Sequence, residues 1–356
     1  MLHPQCFTTE WVRHQAQAVG SPNPVMLEKA IIALQLLGHL AESGLPIQFK
    51  GGTSLLLRLN SIRRLSIDVD IVTQAKPEQL AAALGHLSRL APLTGYEHDD
   101  QRDRELPPKK HYRVFYPSTV ERKVDHVLLD VLFEPQLVPH CEPVLISTPF
   151  ITPEREVRVA VPTVNSLLGD KLTAFAPRTI GILYSPNRKT DIAKQLFDVG
   201  VLFDAATDLS VVADVYAVTH ARQLVYRNAS FSLADTLSDS MRAGFLLSEL
   251  QLKGSSQSED GKFLYDGVQN LANHLVNRPF RHDEARVAAS KAACAAAWIM
   301  RRPADVTIEQ LRFRVDHIAE LRALQVQAPW LPLNRLKGGN AEAFHYWFQA
   351  QRTLAS

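Results

Sequence analysis

A chain of 356 residues that is 46% hydrophobic and 21% charged has the make-up of an ordinary globular protein, long enough for two domains or one with a large appendage. Its net charge of +2 with histidine neutral neither requires nor excludes a nucleic-acid partner, so any such partner must read a local patch. Three widely separated cysteines, Cys6, Cys141 and Cys294, make neither a disulfide framework nor a zinc site and fit a reducing cytoplasm.

The opening MLHPQCFTTEW lacks the basic and apolar regions of a signal peptide. No apolar run approaches the ~20 residues that span a bilayer, so no membrane is expected. Residues 8–19 predict a short helix, and residues 20–24 a loop. Leu27, Ile31, Leu34, Leu37 and Leu40 recur at helical spacing, and Gly44 and Pro46 end that helix. A short strand then runs into Lys50, Gly51, Gly52, Thr53 and Ser54. A helix follows over residues 55–59, then the basic pair Arg63 and Arg64, then a strand over residues 66–72.

The stretch from 47 to 72 carries the chemistry. Glycines followed by hydroxyls at a helix start let backbone N–H groups meet a phosphate. Lys50 precedes the loop and reads either as a contact to the same phosphate or as a solvated lysine. Asp68 and Asp70 are two apart on a predicted strand, so both carboxylates leave one face, while Leu65, Ile67, Val69 and Ile71 take the other. Paired carboxylates on one face want a cation, and a divalent ion carrying a triphosphate is the usual solution. The stretch reads as a metal-dependent nucleotidyl-transfer site, with Mg²⁺ or Mn²⁺ as the ion.

Further on, residues 77–90 predict a helix. Residues 99–110 form a dense charge run with two prolines, read as an exposed hairpin loop or crossover. Residues 110–116 and 124–134 predict strands, and Asp130 in the second is the natural third carboxylate for the metal. A short strand is expected at 144–147 and another at 157–161. Helices follow at 163–176 and 189–203, joined by a loop. From about residue 210 the pattern is helical throughout, at 211–226, 234–252, 262–276, 283–300, 307–324 and 340–351. His111, His220 and His282 have no evident partner and read as core or surface residues. His140 and Cys141 lack a second pair at metal spacing.

These blocks resemble a known family. Glycines with hydroxyls, a short helix and then Asp68-x-Asp70 are similar to the signature of the DNA polymerase β-like nucleotidyltransferase superfamily. The wider order resembles the AbiEii/MenT toxin family. It runs from Pro24, Val25, Leu27, Glu28 and Lys29 through Phe49 to Leu55 and Arg63 to Asp70. Asp170, Lys171, Leu172 and Phe175, then Arg188, Lys189, Asp191 and Ile192, resemble that family's second block. The resemblance implies an α+β fold: a polymerase β-like nucleotidyltransferase domain with a mixed sheet over residues 1–207, followed by an α-helical domain over residues 208–356.

It also implies catalytic roles for Asp68, Asp70, Lys171 and Asp191, with Lys171 as a point cation for triphosphate. Asp191 becomes a general base or the group that holds Lys171. Asp198, two helical turns beyond Asp191, reads as supporting. Ser66 sits where the family has a serine and is counted with Lys50, Gly51, Gly52, Thr53 and Ser54 as nucleotide-binding. The implied reaction moves a nucleotide from an NTP to the 3′ end of tRNA, beside a separate antitoxin protein. Arginines in the helical tail, among them Arg222, Arg227, Arg301 and Arg302, are a candidate acceptor surface. Transfer to a protein or small-molecule hydroxyl is an alternative, as is a non-catalytic nucleotide-binding regulator. The joint presence of Asp68, Asp70, Lys171 and Asp191 argues against the last.

Overall fold

The computed structural model describes residues 1–21, 23–103 and 105–356. Pro22, in the expected 20–24 loop, and Arg104, in the 99–110 charge run, lie outside the described residues. The chain divides into two compact units. One comprises residues 1–163 and 273–279, the other residues 164–272 and 280–356.

In the first unit, α1 (Thr9–Ala18) and α2 (Pro24–Glu42) precede β1 (Ile47–Lys50), the single-turn α3 (Leu55–Arg58) and β2 (Val69–Thr73). After α4 (Pro77–Leu87) come β3 (Gly95–His98), β4 (Lys109–Pro117), β5 (Val124–Phe133), β6 (Cys141–Leu145) and β7 (Arg158–Pro162). The seven strands form one mixed sheet in the order β3-β4-β5-β2-β1-β7-β6. β2 is antiparallel to β1 and parallel to β5, and β1 is parallel to β7. The fold is α+β. β3 went unread in the sequence, because GYEH has little strand character of its own. It is an edge strand held by its register on β4, from Gly95 opposite Phe115 to His98 opposite Tyr112. Of the charge run, residues 99–103 and 105–108 lie in the β3–β4 connection, and Lys109 and Lys110 open β4.

α2 organises the core. It is apolar nearly all round, and such a helix must be buried. Leu27, Ile31, Leu34 and Leu37 pack in one cluster with Phe49, Val69, Ile71, Leu129 and Val131. Contrary to the sequence expectation its 19 residues are long and apolar enough to cross a membrane, yet most of them are buried inside the protein, as in a core helix. Just beyond its first turn it carries a buried acid. Glu28 accepts hydrogen bonds from Ser118 Oγ (2.6 Å), from Thr119 N (2.7 Å) and Oγ1 (2.9 Å), and from Val120 N (3.3 Å). Four donors on one carboxylate fix the β4–β5 turn. Glu28→Ala is expected to cost about 3 kcal/mol, because the donors would stay buried without their acceptor. A urea-unfolding midpoint unchanged from the parent would refute this.

The second unit is helical. It contains α5 (Val164–Ala174), α6 (Lys189–Ala205), α7 (Leu209–Arg227), α8 (Leu233–Glu249), α9 (Glu259–Asn270), α10 (His282–Arg301), the short α11 (Ile308–Leu311) and α12 (Ile318–Leu321), and α13 (Ala341–Ala355). The expected boundary near residue 207 differs from the observed division after residue 163. α5 and α6 belong with the helices: α5 packs on α7, and α6 packs on α9 and α10. Alanine-rich α10 lets α8 and α13 approach closely on either side.

Two expected helices are cut short. Residues 262–276 stay helical only to Asn270, followed by a 3₁₀ turn over Leu271–His274. Beyond it Leu275 bridges to Arg64, Val276 N donates to Arg63 O (2.9 Å), and both apolar side chains are buried in the first unit. Residues 307–324 break after α11, where Arg312 is extended at φ −65° and ψ 139°. There His345 Nε2 contacts Leu311 O (2.8 Å), and Phe313 N donates to Tyr346 Oη (3.1 Å). Side chains from α13 thus take backbone groups that a continuing helix would need.

Candidate active site

The glycine turn and the carboxylate strand are joined by sheet register. β1 runs antiparallel to β2 and places Lys50 directly opposite Asp70. Gly51 follows at φ +77°, a left-handed conformation that favours glycine. There is also no room for a side chain: a Cβ on Gly51 would lie 2.1 Å from Asp70 Oδ2 and 2.7 Å from its Cγ. At Gly52 a Cβ would lie 2.7 Å from an Arg64 guanidinium nitrogen and 2.8 Å from Ser66 Oγ. The turn is therefore packed edge-on against Asp70, Arg64 and Ser66. Arg64 was read only as half of a basic pair; it is 9% exposed and lies against the second glycine. Its distance from that glycine in sequence concealed the contact.

Asp68 lies one residue ahead of β2, so the strand itself carries Asp70 alone. Val69 and Ile71 face the α2 core and are buried, while Asp68 and Asp70 are both half-buried. The alternation that separates the acids from the apolar face holds across this junction.

The hydroxyls of Thr53 and Ser54, counted as nucleotide-binding in the sequence, are turned into the protein. Thr53 and Ser54 are fully buried. Thr53 Oγ1 donates to Asp68 O (2.6 Å), and Ser54 Oγ donates to Gly51 O (2.8 Å). Both bonds brace the loop, the first by tying it to the backbone that carries Asp68.

Asp130 stands in the third-carboxylate position. β5 is parallel to β2, and Asp130 pairs with Asp70 in register. Its two oxygens are already engaged: Lys109 Nζ lies 2.6 Å from Oδ2 and His111 Nδ1 lies 2.7 Å from Oδ1. Burial pushes this carboxyl up, but Lys109 and then His111 outweigh it and hold it below the usual carboxylate range. His111, which showed no partner in the sequence, is thus a partner of Asp130. β4 sets it directly opposite.

The second unit holds Lys171 and Asp191, and it does not join them. Lys171 on α5 pairs with Asp198 on α6 at 3.0 Å, with side chains 7% and 0% exposed. Asp191 pairs instead with Arg188 (2.9 Å) and Lys194 (3.8 Å) on a half-exposed face. The acid that holds Lys171 is therefore Asp198. Several tail arginines are committed to the fold. Arg227 donates to Gly181 O (2.6 Å), Arg301 to Leu354 O (2.6 Å), and Arg302 pairs with Asp214 (2.9 Å).

The glycine turn is thus packed against a carboxylate-bearing strand of the mixed sheet. The sequence model of the family described as nucleotidyl transferase AbiEii toxin, type IV TA system, matches residues 35–285, and the chain belongs to that family. It is accordingly a nucleotidyl transferase of the toxin–antitoxin class. Among solved structures, a Helicobacter pylori protein assigned by inference as a nucleotidyltransferase is 16% identical, with a TM-score of 0.42 over 81% of this chain and 99% of that one. JHP933 from Helicobacter pylori is 15% identical, with a TM-score of 0.35 over 76% of this chain and 93% of that one. No curated protein matches the chain.

Proposed function

We propose that this chain is a metal-dependent toxin that transfers a nucleoside monophosphate from an NTP to the 3′ end of tRNA. The supporting observation is the close approach of Gly51 to the Asp70 carboxylate. It leaves backbone, with no side chain between, at the place where a phosphate would meet a metal-binding acid. Among the described residues no group of three His, Cys, Asp or Glu side chains could hold a metal ion by itself. That suits magnesium, which is held by one or two carboxylates while substrate phosphates and water complete its shell. Asp68 and Asp70 would hold Mg²⁺ or Mn²⁺, and the ion would supply charge neutralisation for the triphosphate.

In the reaction, the acceptor hydroxyl oxygen bonds to the α-phosphorus and the bond from that phosphorus to the bridging oxygen breaks. Pyrophosphate leaves, and the hydroxyl proton is released. The chain's own part is to hold the triphosphate with Lys50 and the Gly51–Gly52 backbone and to fix Asp68 and Asp70 beneath it. Thr53, through Asp68 O, keeps turn and acids in one register. By resemblance, Lys171 contributes positive charge to the triphosphate and Asp191 acts as base or support. A separate antitoxin restrains the activity, and a cytoplasmic location fits the free, mostly buried thiols.

The test is incubation with each labelled NTP, Mg²⁺ and total tRNA, followed by separation of products. Label is expected on tRNA and lost with a chelator. Label on protein or on a small molecule would move the acceptor elsewhere, and nucleotide binding without label would make the chain a regulator. Asp70→Asn is expected to lower transfer by about 10³-fold, since a carboxamide binds a hard divalent cation poorly. Undiminished labelling by that variant would remove the assignment.

A further inference from the structure

The third-carboxylate position beside Asp70 does not fit a metal. Each oxygen of Asp130 already faces a donor, Lys109 on one side and His111 on the other. Arg102 approaches the same carboxylate at 3.9 Å. A magnesium ion needs direct contact with a carboxylate oxygen at about 2.0–2.1 Å, and the Lys109 ammonium stands where that contact would be made. The burial order points the same way. Asp130 is recessed, with 13% of its side chain exposed, whereas Lys109 is 29% and Arg102 42% exposed. An anion arriving from solvent therefore meets the cations first and the acid last.

Both signs meet at this corner: Lys109 and Arg102 stand against Asp130, while Asp103 accepts from His111 N and pairs with Lys110. The neighbouring strand carries acids, Asp70 in register with Asp130 and Asp68 just ahead of it. Two-ion sites stabilise both the attacking and the leaving oxygens of a displacement. Here the sheet offers acids on one strand and a protein-borne cation on the next but one, since β4 and β2 flank β5.

We propose that Asp130 is a positioning residue that holds Lys109 as a resident cation, and that Lys109 receives a phosphate oxygen of the reacting nucleotides in place of a second metal ion. This rests on the nucleotidyl-transfer reading above. The phosphate belongs either to the NTP or to the last phosphodiester of the acceptor strand. Both present the same singly charged oxygens to an ammonium. Lysine suits the task as a compact point charge, and its pairing with Asp130 removes the freedom a long side chain otherwise keeps.

Two measurements test this. The first is binding of Mn²⁺ with a non-hydrolysable NTP analogue, followed by electron paramagnetic resonance. Asp130→Asn is expected to keep Mn²⁺ affinity within about 3-fold of the parent, while Asp70→Asn loses it by at least 10-fold. A comparable loss in both variants would make Asp130 a ligand and overturn the proposal. If the parent chain bound no Mn²⁺–analogue at all, the nucleotidyl-transfer reading would fail and carry this assignment with it.

The second measurement is steady-state transfer. Lys109→Met, whose stability is checked by urea unfolding because it takes a partner from the recessed Asp130, is expected to lower kcat/KM about 30-fold with Mn²⁺ binding intact, and Lys109→Arg to restore most of it. A rise in KM for the NTP alone assigns the phosphate to the nucleotide, and a rise for the acceptor alone assigns it to the RNA strand. Unchanged kinetics in Lys109→Met would end the proposal.

Discussion

Gly51→Ala is expected to lower transfer to about 1% of the parent rate and to destabilise the first unit by about 3 kcal/mol. Two separate costs add. Alanine at φ +77° pays about 1–2 kcal/mol for a left-handed backbone. Its Cβ would then fall 2.1 Å from Asp70 Oδ2, 2.7 Å from Cγ and 2.8 Å from Cβ. The last of these atoms is tied to the β2 backbone, so rotation of the carboxylate alone does not relieve the clash. Either the turn lifts from β2 or the strand shifts, and both move Asp70 away from the triphosphate. A misplacement of about 1 Å at a reacting centre is enough for a 100-fold loss.

Gly52→Ala makes the control. Its φ is ordinary, and its Cβ would meet the end of the Arg64 side chain at 2.7 Å and Ser66 Oγ at 2.8 Å. Those atoms can give way by rotation, so the stability loss is expected to be smaller than for Gly51→Ala. Urea unfolding and tRNA labelling on the two variants check the order. Equal behaviour of the pair, or a fully active Gly51→Ala, would show that the close approach to Asp70 has no part in catalysis.

What could be read from residues alone follows a physical line. The Gly51–Gly52 turn and the Asp68-x-Asp70 spacing are local patterns, and strand alternation converts them into geometry without any long-range information. α2 was legible for the same reason, since its leucines repeat at helical spacing. Pairings across elements were not. His111 lies 19 residues from Asp130, and only the β4–β5 register sets them opposite. The hydroxyls of Thr53 and Ser54 looked like phosphate donors because sequence gives residue type and not direction; burial turned both inward. Residues 271–276 were read as the end of a helix, but the partners of Leu275 and Val276 are some 210 residues earlier in the chain, at Arg63 and Arg64. β3 was missed because an edge strand of four residues is specified by its neighbour more than by itself.

The exchange of Asp191 for Asp198 as partner of Lys171 has the same origin, and it makes a sharp expectation. Both acids sit on α6, two turns apart, and helical periodicity alone does not choose between them. Packing does. Asp198 is fully buried and reaches Lys171 at 3.0 Å, whereas Asp191 stays half-exposed with Arg188 and Lys194. Lys171→Met should therefore cost about 3–5 kcal/mol, because it takes the cation from a carboxylate that has no access to water. Asp191→Asn should cost less than about 1 kcal/mol, the usual worth of an exposed pair.

The double variant Lys171→Met/Asp198→Asn removes the stranded charge along with its partner, and most of the lost stability should return. Denaturant unfolding of the three variants reads all of this directly. Transfer activity then separates the two roles that a buried lysine can have. If the ammonium serves only the fold, the double variant regains activity along with stability. If Lys171 also neutralises the triphosphate, the refolded double variant stays inactive, since methionine carries no charge. A Lys171→Met chain as stable as the parent would refute the buried pair.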